Sequence, residues 1–141
     1  GETSPTLTNV IFWNNSAGSG MDEIHMRNTG YMSEVRNSIV ASGCTGLATC
    51  TSTIAADPLF VDPFGPDGIA GTADDDLRLM PGSPAIGWGD SSYLPIADRT
   101  LDLIGQPRIE GTLDAGAIEH HSGAVGAQRR APSVLNRPNN R

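Results

Sequence analysis

The chain has 141 residues, 16 of them Asp or Glu against nine basic ones, for a formal charge of -7. That length allows one acidic domain with a real core, and seventeen Gly, ten Pro and only seven aromatics exclude a helical bundle in favour of a chain that turns often. All nine cations are Arg, which excludes Schiff-base chemistry on a side-chain amine, a P-loop lysine and a lysine general base.

The cations are unevenly placed. Residues 1–128 hold five Arg and sixteen acids, a net -11, whereas Arg129, Arg130, Arg137 and Arg141 give the last thirteen residues +4. Such a body repels nucleic acid and anionic lipid, so no nucleic-acid partner is expected. No apolar run approaches the roughly 18 residues needed to span a bilayer. The chain opens at Gly1 with no Met and no charged-then-apolar leader, which reads as a processed or truncated product.

In chain order, the first β-rich run is Leu7-Thr8-Asn9-Val10-Ile11-Phe12-Trp13, closed by Asn14-Asn15-Ser16. The second, Val35-Arg36-Asn37-Ser38-Ile39-Val40, overlays the first at an offset of 28, matching Leu7 to Val35, Asn9 to Asn37, Ile11 to Ile39 and Phe12 to Val40. Cys44 and Cys50 then enclose a small Gly-bearing loop and are predicted to form a disulfide in an oxidising compartment, the other assignment being two unrelated buried thiols. Two more runs, Pro58-Leu59-Phe60-Val61 and Leu77-Arg78-Leu79-Met80, put Ile11, Ile39, Leu59 and Leu79 at spacings of 28, 20 and 20.

A short strand recurring at that spacing cannot bury its apolar face alone, so stacked turns of a solenoid are the economical solution. Asn9 and Asn37 would stack as an amide ladder or serve in turns. A sandwich with Gly and Pro turns is the rival.

Four blocks carry a resemblance. They are residues 4–15 (Ser-Pro-Thr-Leu-Thr-Asn-Val-Ile-Phe-Trp-Asn-Asn), 56–62 (Ala-Asp-Pro-Leu-Phe-Val-Asp), 79–86 (Leu-Met-Pro-Gly-Ser-Pro-Ala-Ile), and Gly105-Gln106-Pro107-Arg108 with Asp114-Ala115-Gly116-Ala117-Ile118-Glu119. In this order they resemble the C-terminal portion of bacterial right-handed parallel β-helix proteins, pectate-lyase-like and of the choice-of-anchor Q type. The resemblance implies an all-β fold: a short right-handed parallel β-helix of about three to four rungs over residues 1–121, followed by an irregular tail, 122–141. It implies export, hence an extracytoplasmic location (periplasmic, cell surface or secreted). Family members usually carry many rungs before this portion. Either Gly1 is therefore a boundary or the first rung stacks on another chain, and a protein–protein contact there is the expectation. Where the family often reads Pro-Ala-Ile-Asp-Xaa-Gly, this chain has Gly87 in place of the carboxylate.

Residues 62–76 are the densest chemical constellation. Asp62, Asp67, Asp74, Asp75 and Asp76, separated by Gly and Pro, offer hard oxygen ligands to Ca²⁺, although the loop lacks the EF-hand register; a solvated acidic turn is the alternative. Signatures for α/β-hydrolase, dinucleotide and zincin chemistry are missing, so no catalytic residue is assigned. His25 alternates with apolar residues as on a strand face, and adjacent His120 and His121 point to opposite faces of extended backbone rather than sharing an ion. A polysaccharide lyase is the enzymatic alternative implied by the resemblance, with Arg78 beside the acidic run as its base. Trp13, Trp88 and Tyr93 offer a platform for glycan stacking or act as packing plugs.

The tail has the composition of an extended arm. Val134 and Leu135 would anchor it on a partner while Arg129, Arg130, Arg137 and Arg141 meet acidic groups. The chain thus reads as a non-catalytic structural or accessory subunit whose partners are other protein subunits, in a hetero-assembly or by homotypic stacking. The alternative is the C-terminal part of a surface adhesin, glycan-binding protein or polysaccharide lyase.

Overall fold

The computed structural model describes residues 5–15, 24, 33–44 and 49–122. The fold is all-β, with six strands and two single 3-10 turns, Ser91–Tyr93 and Ile96–Asp98, among the described residues. Strands β1 (Thr6–Thr8) and β2 (Ile11–Phe12) both lie along β3 (Glu34–Val40), and β4 (Thr49–Ile54) pairs with β3 as well. All of these pairings are parallel. The register sets Leu7 on Val35, Ile11 on Ile39 and Phe12 on Val40, the 28-residue offset predicted from the sequence.

A bend at one aligned position interrupts the β1–β2 path, β3 and β4 alike. Asn9 has φ 58° and Asn37 φ 46°, and the residue in β4 aligned with Asn37 is Ser52, with φ 53°. Asn tolerates this left-handed region because its short amide can bond locally, whereas a β-branched residue would press Cβ against the following carbonyl. The conformation turns each strand so that its two halves face different parts of the core. Of the two roles expected for these Asn residues, the amide ladder is not formed and the corner is. Asn9 instead clamps the backbone of Asp90, its Nδ2 donating to Asp90 O at 3.0 Å and its Oδ1 accepting from Asp90 N at 2.8 Å.

The rest of the predicted series is corrected. The third parallel strand is β4, whose Ile54 pairs with Ile39 at a spacing of 15. Leu59 and Leu79 do not continue the stack. Strands β5 (Phe60–Asp62) and β6 (Asp76–Leu79) form an antiparallel hairpin in which Phe60 faces Leu79. The intervening loop brings the chain back on itself, which reverses the direction that a rung would need.

The core lies where stack, hairpin and C-terminal segment meet. Ile39, Leu79, Ala85 and Ala115 are buried together, with Ile11, Ile54, Phe60 and Trp88 packed around them. Trp13 meets Phe60 edge-on with ring centroids 5.7 Å apart and Phe64 at 6.1 Å, joining the end of β2 to the hairpin.

The αL column gives a direct test. Replacing Asn37 by Val should lower stability in urea by roughly 1–2 kcal/mol, the cost of a left-handed L-residue, while Asn37→Gly should stay close to wild type. Equal midpoints for the two variants would show that the bend is unimportant.

Candidate functional site

The five acidic residues of the 62–76 loop are spread along it and serve mostly local bonds. Asp67 Oδ1 accepts from Ile69 N at 2.8 Å, and Asp75 Oδ2 accepts from Gly71 N at 2.6 Å and Thr72 N at 3.2 Å. Asp74 Oδ1 takes the Thr72 hydroxyl at 2.6 Å, which holds its carboxyl below the usual range. Asp76 forms a forked ion pair with Arg78, and Asp62 sits opposite it across the hairpin. Among the described residues no group of three or more His, Cys, Asp or Glu converges as a metal site. The loop's tight path has its own requirement: Gly65 is left-handed at φ 56°, and a Cβ there would lie 2.9 Å from the Asp74 backbone oxygen.

Arg78, the candidate base, is pushed further towards its protonated form by hydrogen bonding to Asp76, the wrong direction for proton abstraction. The three aromatics serve separate contacts. Trp13 packs on Phe60 and Phe64, Trp88 Nε1 donates to Ser52 O at 3.0 Å, and Tyr93 lies 5.6 Å from the Arg36 guanidinium, which donates to its hydroxyl. Cys44 and Cys50 are disulfide-bonded, their Cα atoms 6.2 Å apart, and fasten the turn after β3 to β4. His25 and the tail residues Arg129, Arg130, Val134, Leu135, Arg137 and Arg141 lie outside the described residues.

The strongest constellation was not predicted as a site. Arg108 is buried and pairs with Glu119 at 2.8 Å, with side-chain exposures of 7% and 1%. The same guanidinium donates to Gly116 O at 2.6 Å and Asp114 O at 3.4 Å. Three further carboxylates surround it, two bound by backbone donors and one by an imidazole. Asp102 accepts from Ile104 N, Gln106 N and Glu119 N; Asp114 accepts from Gly87 N at 2.7 Å and His120 N at 2.6 Å; Glu110 meets His121 Nδ1 at 2.5 Å. Position 87, where the family resemblance expects a carboxylate, needs glycine: φ is 67° and a Cβ would stand 2.7 Å from Thr112 Oγ1.

This network has the character of a clamp. Its acceptors are filled by backbone N–H groups of its own loops, which is how a segment with almost no regular structure satisfies its buried polar groups. Burial pushes the Glu119 carboxyl above its ordinary value, aided by the charge of Asp114 and opposed by backbone donors and Arg108.

A further surface feature is the outer edge of β1, uncovered among the described residues. Glu34 N donates to Pro5 O and Asn9 N to Arg36 O, so alternation along a parallel ladder turns the peptide groups of Thr6 and Thr8 away from β3. Among the described residues no other strand pairs with β1 or β2 on that side. Thr8 and Asn9 form part of the wall of a groove of about 470 Å³ shared with Tyr93, Leu94, Leu101 and Leu103. Leu101 is 59% exposed and Leu103 73%. The groove stops at Asn9, whose carbonyl accepts from Gly116 N at 2.9 Å.

No protein-family model, curated protein or solved structure matches the chain.

Removing one partner of a buried ion pair strands the other, so Arg108→Met should cost about 3–5 kcal/mol, whereas Arg78→Met, at an exposed pair, should cost about 1 kcal/mol or less. Equal losses would refute the clamp. The pH dependence has a definite sign. A raised folded value means that the unfolded chain loses its Glu119 proton first, so ionisation of this group costs stability as pH rises from 4.5 through the raised value. Wild type should therefore lose stability relative to Glu119→Gln over that window and level off above it; a flat difference would remove Glu119 from the pH response.

Proposed function

We propose that the chain is a non-catalytic structural or accessory subunit of a larger extracytoplasmic protein assembly. In this reading it is a short right-handed parallel β-helix that docks through its open end, at the β1 edge, and through its basic tail. The observation that carries the reading is the outer edge of β1, where the peptide groups of Thr6 and Thr8 pair with no other strand among the described residues, beside the exposed Leu101 and Leu103. An edge of this kind is a template for strand addition, in which main-chain bonds supply affinity and flanking apolar side chains supply fit.

Three observations support the wider frame. The 28-residue parallel register and the αL column at Asn9, Asn37 and Ser52 are what stacked rungs require. The Cys44–Cys50 bridge accords with an oxidising compartment. The buried carboxylates are engaged by backbone groups and Arg108, which suits a load on structure more than on chemistry.

Thr8→Pro tests the docking edge without touching the β3 ladder, because the lost N–H is one that points outward. Light scattering on native material should show wild type travelling in a species larger than its own 14.7 kDa, and Thr8→Pro travelling alone with an unchanged unfolding midpoint. Wild type running alone, or the variant retained in the complex, would reject the reading.

A further inference from the structure

The segment Trp88-Gly89-Asp90 runs along the column of left-handed residues. At one end Asn9 holds the N–H and C=O of Asp90, and at the other Ser52 O accepts from Trp88 Nε1 at 3.0 Å. Gly89, between them, donates to Leu113 O at 2.8 Å instead. Asn37, the middle residue of the column, is therefore left over. Its side chain makes no hydrogen bond to any described residue, and it lines a second groove, of about 440 Å³, with Ser52, Trp88, Asp90, Ser91 and Thr112.

We infer that this groove is a docking site for an extended, arginine-bearing segment of a partner polypeptide, with the Asn37 amide clamping one residue of its main chain as Asn9 clamps Asp90. The groove includes no residue of β1, so the two sites stand or fall separately.

Asn9 shows what an Asn at this corner can hold. Asp90 is extended, at φ -114° and ψ 110°, and an extended residue presents its own N–H and C=O to one side, where a single side-chain amide donates to the oxygen and accepts from the nitrogen. A lone trans amide, such as an N-acetyl group, points its N–H and C=O to opposite sides and cannot fill both bonds. An extended peptide residue is thus the chemistry that the clamp fits.

The surroundings of Asn37 select the side chain beside the clamp. Asp90 brings a negative charge to the groove, its carboxyl held below the usual range by hydrogen bonds from Ser92. The described residues hold 13 acids and 4 Arg, a net -9, so an acidic segment is repelled and a basic one attracted. Trp88, half-buried and anchored by its indole N–H, lines the same groove. An arginine uses both groups, because its guanidinium pairs with a carboxylate and stacks on an aromatic face.

NMR titration of the isotope-labelled full chain with N-acetyl-Ala-Arg-Ala-amide tests this, read on the Asn37 side-chain amide and on the backbone amides of Ser91 and Thr112. Saturable shifts with a dissociation constant on the order of 1 mM or below are expected. Asn37→Gly keeps the left-handed corner and should weaken binding about tenfold, the loss of two hydrogen bonds. The glutamate counterpart, N-acetyl-Ala-Glu-Ala-amide, should not saturate in the same range. Absence of shifts with the arginine peptide, equal binding of the glutamate peptide, or undiminished binding by folded Asn37→Gly each overturns the inference. Cellobiose shifting these signals where the arginine peptide does not would assign the groove to a saccharide and overturn it as well. The β1 edge is judged apart from all of these, by the fate of Thr8→Pro in the native assembly.

Discussion

A single guanidinium fixes the path of the C-terminal third of this fold. From residue 81 to residue 121 the chain has two one-turn 3-10 segments and one isolated bridge, Leu101 with Pro107, and no further strand. Backbone without a ladder must find other partners or stay in water. Arg108 supplies them by anchoring Glu119 and the carbonyls of Asp114 and Gly116, while Glu119, Asp114 and Asp102 accept from backbone donors along the same stretch. With the guanidinium gone, Glu119 and Asp114 would be two buried carboxylates sharing one space, an arrangement that low dielectric penalises.

The clamp and the strand stack hold each other. Ala115, carried by the clamped segment, donates its N–H to Ala85 O and packs in the cluster centred on Ile39. Gly116 binds the Asn9 carbonyl so closely that a Cβ would sit 2.9 Å from Ile11 Cδ1. Asn9 in turn holds the Asp90 backbone, 81 residues away. The left-handed Asn thus performs two tasks, bending the path between β1 and β2 and tying it to the C-terminal segment. Aliphatic burial sets the packing, and these polar bonds set which segments lie against it.

What was legible in the sequence follows from which signals are periodic. The β1–β2 to β3 register could be read because Leu7, Asn9 and Ile11 recur as Val35, Asn37 and Ile39 with large side chains at the inward positions. Strand β4 escaped because Thr49-Cys50-Thr51-Ser52-Thr53-Ile54 has one large aliphatic and a Ser where its neighbours have Asn; its alternating Thr residues were the available signal. Leu59 and Leu79 have the right composition, yet apolar spacing does not encode strand direction, and the hairpin reverses it. The clamp was hidden for another reason. Arg108, Asp114 and Glu119 look like surface charges, and only their place in the family-like blocks set them apart. Asp67 beside Gly68, and Asp75 four residues after Gly71, signalled a turn, and a turn is what their carboxylates stabilise.

The open edge is shaped against indiscriminate pairing. Strand β1 is three residues long, and the left-handed Asn9 separates it from the two residues of β2. A long, flat strand cannot follow a template that bends after three residues, so promiscuous aggregation is disfavoured. A partner must be short, carry an aliphatic residue opposite Leu7 and turn aside where Gly116 closes the ladder at Asn9. The feature that bends each of these strands therefore also gives the β1 edge its selectivity. A strand cut to the same pattern, an aliphatic residue followed two places later by a residue at ease in the left-handed region, meets the template with the least strain.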